Sequence, residues 1–299
     1  MIARLDFPVT SPADFARLRR RFADLPMQPK VLLSREGGTD ISSPGRQSLS
    51  LLVGEETAGA LYATDVYLSP GFGAPPHHQP TEEELWYLLE GELDVRVATR
   101  TARLKPGSFA FIPRNTTHTF KNNGTSPVRL LAWNSPAGHE RAFEEMGRKA
   151  REGVTAFPEL QEIFKAHEIV LHADPAQTAA NDVPGAALAP KLVGAKAYGR
   201  PVSKDGVSAR ILLDAGESAG VFEVADVLME QGALLQSREE HAETCLYFTR
   251  GSATLDIDGG GHDVGAGAFA FVPRRHALRV TGAGTEPVHF VTWTTRTVA

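Results

Sequence analysis

The sequence predicts an all-β protein built from two jelly-roll β-barrels in tandem, with short helices between them. Its length of 299 residues exceeds what one hydrophobic core usually serves, so two domains are expected. The two halves resemble each other, and each contains short apolar runs separated by Gly, Pro or Asn. Such runs are typical of β-strands and hairpins, and many of them in a unit of this size indicate a barrel or jelly roll.

The internal repeat is clearest late in each half. PGSFAFIPR at 106–114 corresponds to AGAFAFVPR at 266–274, a shift of 160 residues, and Gly91 pairs with Gly251 at the same shift. AGALYATDVYLSPG at 58–71 corresponds to AGVFEVADVLMEQG at 219–232, where the shift is one residue larger. The second half therefore lacks one residue between Gly232 and Gly251, and the two halves should share one architecture.

The segment between the barrels has signals of its own. HERAFEEMGRKAREG at 139–153 spaces Phe143 and Met146 as on one face of a helix, so a helix should follow the first barrel. Residues 173–190 are rich in Ala, Pro and Asn, which predicts a linker. The expected domains are therefore residues 1–172, including that helix, and residues 191–299.

Composition and charge narrow the class of protein. No stretch of even fifteen apolar residues is present, which predicts no membrane span. A net charge of −5 argues against a nucleic-acid surface, and the cluster at Arg17–Arg21 is interpreted as the polar face of a short helix. The start lacks a signal-peptide pattern and Cys245 is a lone cysteine, so a cytoplasmic location is expected.

Four potential metal ligands stand in the first half: His77, Gln79, Glu84 and His118. His77 and Gln79 are two residues apart on one predicted strand and should project from the same face, whereas His78 should point the other way. A turn should let Glu84 open the next strand facing inward, and His118 should open another. These strand openings can direct four donors to one point inside a barrel.

The donor types suggest the kind of ion. Two imidazoles, an amide oxygen and a carboxylate suit a divalent transition metal such as Fe, Mn, Ni, Co or Zn, whereas Ca and Mg prefer oxygen ligands alone. Trp86 and Phe120 share the strand parity of Glu84 and His118. Both aromatic residues therefore fit the wall of a substrate pocket, and ordinary core packing explains them equally well.

These residues carry a family resemblance. Residues 71–91 and 107–122 resemble the two motifs of the cupin superfamily, whose usual metal ligands are two histidines spaced HxH, a glutamate and a later histidine. GFGAPPHH, EGEL, PRNTTHTF and SPAGHERAFEE are most similar to bacterial quercetin 2,3-dioxygenase-like cupins. Gln79 departs from this pattern, since it stands where a second histidine is expected. Asn115 replaces a glycine, a milder change because Asn also tolerates left-handed turns.

The second half lacks the ligand set. By the repeat, Arg238 and Glu240 correspond to His77 and Gln79, Thr244 to Glu84, and Leu278 to His118. This set includes no histidine. The second barrel is therefore expected to be a packing partner without a metal.

The resemblance implies a metal-dependent dioxygenase acting on a small aromatic or enolic substrate together with dioxygen, with Glu84 as both metal ligand and catalytic base. Two alternatives stay open: a redox-inert cupin isomerase, cyclase or lyase, and a non-catalytic bicupin that binds a small ligand. The sequence also leaves open whether the chain forms a homodimer.

Overall fold

The computed structural model describes residues 27–154, 157–172, 188–195 and 200–296. The described residues divide into two compact units, the first containing 39–195 and the second containing 27–38 and 200–296. The predicted helix at Arg17–Arg21 and most of the predicted linker at 173–190 lie outside the described residues.

Strands dominate the first part of the chain, and two helices follow them. The strands are β1 (Lys30–Leu32), β2 (Thr39–Asp40), β3 (Arg46–Leu52), β4 (Tyr62–Leu68), β5 (Gly73–His78), β6 (Glu83–Glu90), β7 (Leu93–Val97), β8 (Arg100–Leu104), β9 (Phe109–Ile112), β10 (His118–Lys121), β11 (Val128–Ser135) and β12 (Val170–Leu171). The helices between β11 and β12 are α1 (Glu140–Arg151) and α2 (Phe157–Ala166).

The rest of the described chain contains strands only. They are β13 (Lys191–Val193), β14 (Arg200–Lys204), β15 (Val207–Leu213), β16 (Phe222–Met229), β17 (Leu234–Arg238), β18 (Ala242–Arg250), β19 (Ser252–Ile257), β20 (Gly260–Gly265), β21 (Phe269–Val272), β22 (Ala277–Ala283) and β23 (Val288–Arg296).

The first unit is a two-sheet barrel. One sheet has the order β13-β9-β6-β11-β4-β3-β2, and the other has the order β12-β5-β10-β7-β8. The pairings between these strands are antiparallel. Apolar side chains fill the space between the sheets, among them Val66, Leu88, Val97 and Ile112. Alternation along each strand directs these residues inward, which gives the jelly-roll core that the sequence predicts.

The second unit repeats this architecture. Its sheets have the orders β1-β21-β18-β23-β16-β15-β14 and β17-β22-β19-β20. Its core includes Phe248, Leu255, Val280 and Phe290, all almost fully buried. The prediction of two tandem jelly-roll domains with short helices between them is confirmed.

Two short strands, β1 and β13, each join a sheet formed mainly by the other half of the sequence. β1 extends the larger sheet of the second unit, where Lys30 lies opposite Phe271. β13 extends the larger sheet of the first unit, where Lys191 lies opposite Phe111. Strands of three residues bury too little apolar surface for their sequence to specify a partner, so long-range pairing decides their place.

The helical segment contains one predicted and one unpredicted helix. α1 lies within the predicted range of 139–153, and α2 follows it. Ala142 and Met146 of α1 form a small apolar cluster with Ile163 of α2 and with Ile169. Among the residues that the structure describes, no helix has the length and apolar character needed to cross a membrane.

Candidate metal centre

Strands β5, β6 and β10 bring three ionisable side chains of the first unit together. His77 lies directly opposite His118 in the β5–β10 pairing, and Glu84 lies near the start of β6. One candidate ligand atom from each of the three residues lies within 4.8 Å of the others. All three side chains are buried, so the cluster is a compact group of donors inside the barrel.

Backbone carbonyls fix the orientation of both imidazoles. Nδ1 of His77 lies 2.8 Å from the Pro75 carbonyl oxygen, and Nδ1 of His118 lies 2.9 Å from that of Thr116. A carbonyl oxygen only accepts, so each Nδ1 carries a proton, and Nε2 is the ring nitrogen left to bind a metal. Metal-binding histidines usually donate the N–H of their second ring nitrogen in this way, which fixes the orientation of the ring.

Gln79 and His78 point in different directions, as predicted. Gln79 is 2% exposed, and its Nε2 donates to Glu84 Oε2 at 3.2 Å. Nδ1 of His78 lies instead 2.8 Å from Nε2 of His172. The Gln79 amide therefore faces the cluster, and the His78 ring lies against a different partner.

The turn before β10 is tied to the end of β5. The amide N–H of Asn115 donates to the carbonyl oxygen of Gln79 at 2.8 Å. Asn115 has a φ of 60°, in the left-handed region that Asn tolerates better than most residues. This turn holds the segment carrying Gln79 next to the strand that begins with His118.

A β-bulge in β5 sets the position of His77. His77 lies opposite His118 but Ala74 lies opposite Phe120, so residues 75–76 of β5 face a single residue of β10. Both bulge residues are prolines, which cannot donate to the ladder and are tolerated at such sites.

The second unit has no such bulge, and this corrects the predicted correspondence. Leu278, the counterpart of His118, lies opposite Ser237 in a continuous register. The counterparts of His77 and Gln79 are therefore Ser237 and Glu239, and the prediction of Arg238 and Glu240 is wrong by one residue. The amide N–H of Arg275 donates to the Glu239 carbonyl oxygen, as Asn115 does to Gln79. The one residue that the second half lacks relative to the first is therefore the extra residue of the bulge. Sequence similarity between the two halves is too weak there to locate it.

The predicted counterparts Thr244 and Leu278 are confirmed. Thr244 pairs with Val272 as Glu84 pairs with Ile112, and Leu278 pairs with Ile257 as His118 pairs with Val97. Among the described residues of the second unit, no His, Cys, Asp and Glu side chains form a group with metal-ligand spacing.

The electrostatics of the cluster keep His77 and Glu84 in their metal-binding forms. Burial, followed by the charge of His118, lowers the pKa of His77 to about 3, so its imidazole is neutral at pH 7. Burial opposes ionisation of Glu84, but the interactions with His118, then with His139 and His77, together outweigh it and lower the pKa of Glu84 to about 2. A neutral imidazole and an ionised carboxylate are the forms that bind a metal without releasing protons.

The donor set fits a divalent transition metal. Nε2 of His118 is buried and 3.1 Å from Glu84 Oε2, yet it makes no hydrogen bond of normal geometry within the described chain. A buried polar atom without such a partner is costly unless another group binds it. Two imidazoles, one carboxylate and the neighbouring Gln79 amide are ligands that suit Fe, Mn, Co, Ni or Zn.

Metal-free protein should lose stability as the pH falls from 6.5 toward about 3. In this range the unfolded chain protonates His77, which has an ordinary pKa of 6.5, while the folded chain does not. The unfolded state therefore binds more protons, and acid favours unfolding. His77→Gln should flatten this dependence when unfolding free energy is measured by denaturant titration at several pH values.

His262→Gln is the matched control, because His262 is an exposed histidine of the second unit. Glu84 and His118 face position 77 and remain in every variant, so the comparison isolates one imidazole. If the unfolding free energy of His77→Gln depended on pH as steeply as that of wild type, the proposed neutral state of His77 would be contradicted.

A largely apolar cavity of about 230 Å³ adjoins the cluster. His77, Glu84, Trp86 and Phe120 all line it. The rings of Trp86 and Phe120 meet edge to face with centroids 5.5 Å apart, and Trp86 makes a similar contact with His118. Trp86 also belongs to the barrel core, so it both packs and forms part of the cavity wall.

The polar residues of the cavity wall that the sequence did not predict include Arg46, Tyr62, Asn134 and His139. Arg46 alternates with Ser48 and Ser50 along β3, a pattern that resembles a solvent-facing edge, yet all three side chains are buried. No local pattern distinguishes Tyr62 or Asn134, and no function was assigned to His139. Only the closure of the barrel places these side chains inside it.

Comparisons with known proteins agree with the fold. Residues 64–134 match the family model of the cupin domain, a range that includes all four proposed ligands. The structure is similar to that of oxalate decarboxylase from Bacillus subtilis at pH 4.6, with a TM-score of 0.62 at 17% identity over 92% of this chain and 78% of that chain. It is also similar to a Pseudomonas aeruginosa protein provisionally named as glyoxylate-induced, with a TM-score of 0.62 at 15% identity over 85% of this chain and 82% of that one. These likenesses show a shared fold.

Curated relatives match a shorter region. The tetracenomycin polyketide synthase protein TcmJ of Streptomyces glaucescens is 34% identical over 71 residues, 24% of this chain and 48% of that protein. Germin-like protein subfamily 2 member 2 of Arabidopsis thaliana is 42% identical over 73 residues, 22% of this chain and 33% of that protein. The chain thus spans less than half the length of each.

Proposed function

We propose that the first barrel is a metal-dependent enzyme site for a small aromatic or enolic substrate, and that its reaction is a dioxygenation. The observation that carries this proposal is the position of the His77, Glu84 and His118 cluster beside an apolar, aromatic-walled cavity. Binding sites for small molecules are commonly apolar cavities with a few convergent polar groups.

His77, Glu84 and His118 would hold the metal, with the Gln79 amide as the fourth ligand. A divalent transition ion would supply a Lewis acid that favours ionisation of an enol or phenol, and a redox-active ion would also supply electrons for dioxygen chemistry. The buried, largely apolar surroundings limit access of water, which strengthens electrostatic interactions at the cluster.

Glu84 is proposed to accept the substrate proton. Its carboxylate lines the cavity, and it is held by the Gln79 amide and lies beside His118. A hydroxyl group of a substrate in the cavity would lie within reach of Glu84 Oε1 or Oε2, and proton transfer to a positioned carboxylate lowers the barrier to enolate formation. The rings of Trp86 and Phe120 would orient the substrate by apolar contact.

A second candidate is a redox-inert isomerase, cyclase or lyase that stabilises an enolate at the same site. The observation that favours it is Gln79, whose amide replaces the second histidine of the usual cupin ligand set. TcmJ, and the polyketide synthase CurC of Streptomyces cyaneus at 29% identity over 98 residues, are related proteins whose names place them with polyketide synthases.

Metal analysis followed by oxygen-uptake assays tests the proposal. Freshly purified protein should contain one divalent metal per chain, and protein reconstituted with Fe(II), Mn(II), Ni(II) or Co(II) should consume oxygen with flavonols or 1,3-diketones. Substrate conversion without oxygen uptake would support the second candidate instead. Binding without conversion under any of these metals would indicate a small-ligand-binding bicupin and overturn both enzymatic proposals.

Gln79→His should bind the metal more tightly by about 1–2 kcal/mol, or about tenfold, because borderline metals prefer an imidazole nitrogen to an amide oxygen. Turnover need not rise, since a weaker ligand allows faster exchange of substrate or water. Calorimetric titration of Zn(II) or Ni(II) into metal-free wild type and variant measures the difference.

Glu239→His provides the matched control, because Glu239 is the structural counterpart of Gln79 in the barrel without the cluster. It should bind no additional metal. Unchanged or weaker affinity in Gln79→His would mean that residue 79 does not contact the ion.

A further inference from the structure

Besides Nδ1 of His139, three buried polar side chains of the cavity have atoms that lack a hydrogen-bond partner within the described chain. These atoms are Nη1 of Arg46, Oη of Tyr62 and Nδ2 of Asn134. The residues are 6%, 0% and 1% exposed, and all three line the cavity. Leaving a buried donor unsatisfied costs about 1–3 kcal/mol, so three of them around one cavity point to a bound polar group.

The register connects two of these side chains to the metal cluster. Asn134 of β11 lies directly opposite Glu84 of β6 on one side and opposite Tyr62 of β4 on the other. Directly paired residues project from the same face, about 4.5–5.5 Å apart. Glu84, Asn134 and Tyr62 therefore form a row across the sheet, from the cluster into the cavity.

Arg46 adds a positive charge to this cavity. Its guanidinium carbon lies 3.6 Å from the centroid of the Phe143 ring on α1. Burial lowers the pKa of Arg46, whereas Tyr62 and then Glu84 raise it. No acidic side chain of the described residues forms an ion pair with Arg46, so its charge is buried without a direct counter-ion.

His139 is a further titratable group of the cavity wall near Arg46, besides Tyr62 and Glu84. Its Nδ1 lies 3.8 Å from Oε2 of Glu82, whose charge offsets that of a protonated His139. This local pair leaves Arg46 as a cavity cation that acts on Glu84 through the cavity but forms no ion pair with a carboxylate of the described residues.

The second barrel has none of these donors at the equivalent positions. Val207 pairs with Met229 as Arg46 pairs with Leu68, so Val207 is the counterpart of Arg46. By the same register, Glu223 and Thr294 are the counterparts of Tyr62 and Asn134. The three donors thus occur in the barrel that contains the candidate metal ligands.

We propose that the cavity binds its substrate as an anion, with a carboxylate or ionised enol oxygen held by Arg46, Tyr62 and Asn134 and the apolar body packed against the aromatic wall. This rests on the proposed function and names its substrate class. A cavity near 150 Å³ holds benzene, so about 230 Å³ suits a molecule of one or two fused rings.

Ligand titration of metal-free protein tests the proposal, since without metal an anion cannot be bound by the ion. The first probe pair is 2-naphthoate and the neutral 2-naphthalenemethanol; the second is 4-hydroxycoumarin, an acidic enol, and neutral coumarin. Wild type should prefer the anion in at least one pair by about tenfold or more. The pair that shows this preference identifies the oxyanion.

Arg46→Met should weaken binding of the preferred anion by about tenfold to a hundredfold, in line with the loss of a charged hydrogen bond, and should change binding of its neutral partner less than twofold. Tyr62→Phe removes only a hydroxyl group and should weaken anion binding several-fold. If Arg46→Met does not fold, the Tyr62→Phe variant still tests whether the cavity donors bind the anion. Arg103→Met is the control, because Arg103 is an exposed cation of the same barrel and should have no effect.

Equal losses for anion and neutral partner, or no loss in either cavity variant, would overturn the proposal. Metal content and turnover are measured separately on wild type. An Arg46-dependent anion preference in a protein that binds no metal would support this inference and reject the proposed function. Metal binding and turnover without such a preference would support the proposed function and reject this inference.

Discussion

His118→Ala is expected to abolish tight metal binding while the barrel stays folded. His118 is 1% exposed and offers a buried Nε2 beside Glu84, so its loss removes one of three clustered donors. Loss of an outer-shell partner alone lowers metal affinity about 10- to 100-fold, and loss of a ligand should lower it by more than about a hundredfold. Elemental analysis of purified protein should show metal content falling from one ion per chain to almost none.

Leu278→Ala is the matched control, because Leu278 is the structural counterpart of His118 in the second barrel. Leu278 is 4% exposed and belongs to that core, so its truncation should cost about 2–5 kcal/mol of unfolding free energy. Metal content should be unchanged. Equal metal loss in the two variants would contradict a single site in the first barrel.

Glu84→Gln is expected to lower kcat by about 100- to 10,000-fold, while weak metal binding remains. An amide oxygen can still coordinate, but glutamine cannot accept a proton. The measurement combines metal titration with turnover at saturating metal, so that loss of the base is separated from loss of the ion.

Glu90→Gln tests whether removal of any carboxylate from the same strand has this effect. Glu90 lies at the other end of β6, where it is paired with Arg129 and exposed. Its variant should turn over normally. Full activity in Glu84→Gln would exclude the base role and leave the proposed ligand role intact.

Strand alternation and repeated motifs were enough to predict much of the molecule. The alternation of side chains along residues 77–79 placed His77 and Gln79 on one side and His78 on the other, and the contacts of these side chains agree. The spacing of Phe143 and Met146 predicted α1. These predictions succeeded because each depends on local backbone geometry, which a short stretch of sequence specifies.

Where the local sequence pattern was ambiguous, strand register decided which residues of the two barrels correspond and which sheet a short strand joins. The bulge at residues 75–76 fixed which residue of the second barrel corresponds to His77, and a shift of one residue cannot be located in weakly similar sequence. The place of β1 and β13 depended on pairing with distant strands.

By itself, the sequence determined the two-barrel fold and brought His77, Glu84 and His118 together as one candidate cluster. The tertiary structure alone decided that Arg46, Tyr62 and Asn134 face the same cavity. These residues lie on β3, β4 and β11, far apart in the chain, and each has an ordinary local pattern. Their shared role arises from the cross-strand register, which forms only when the sheet assembles.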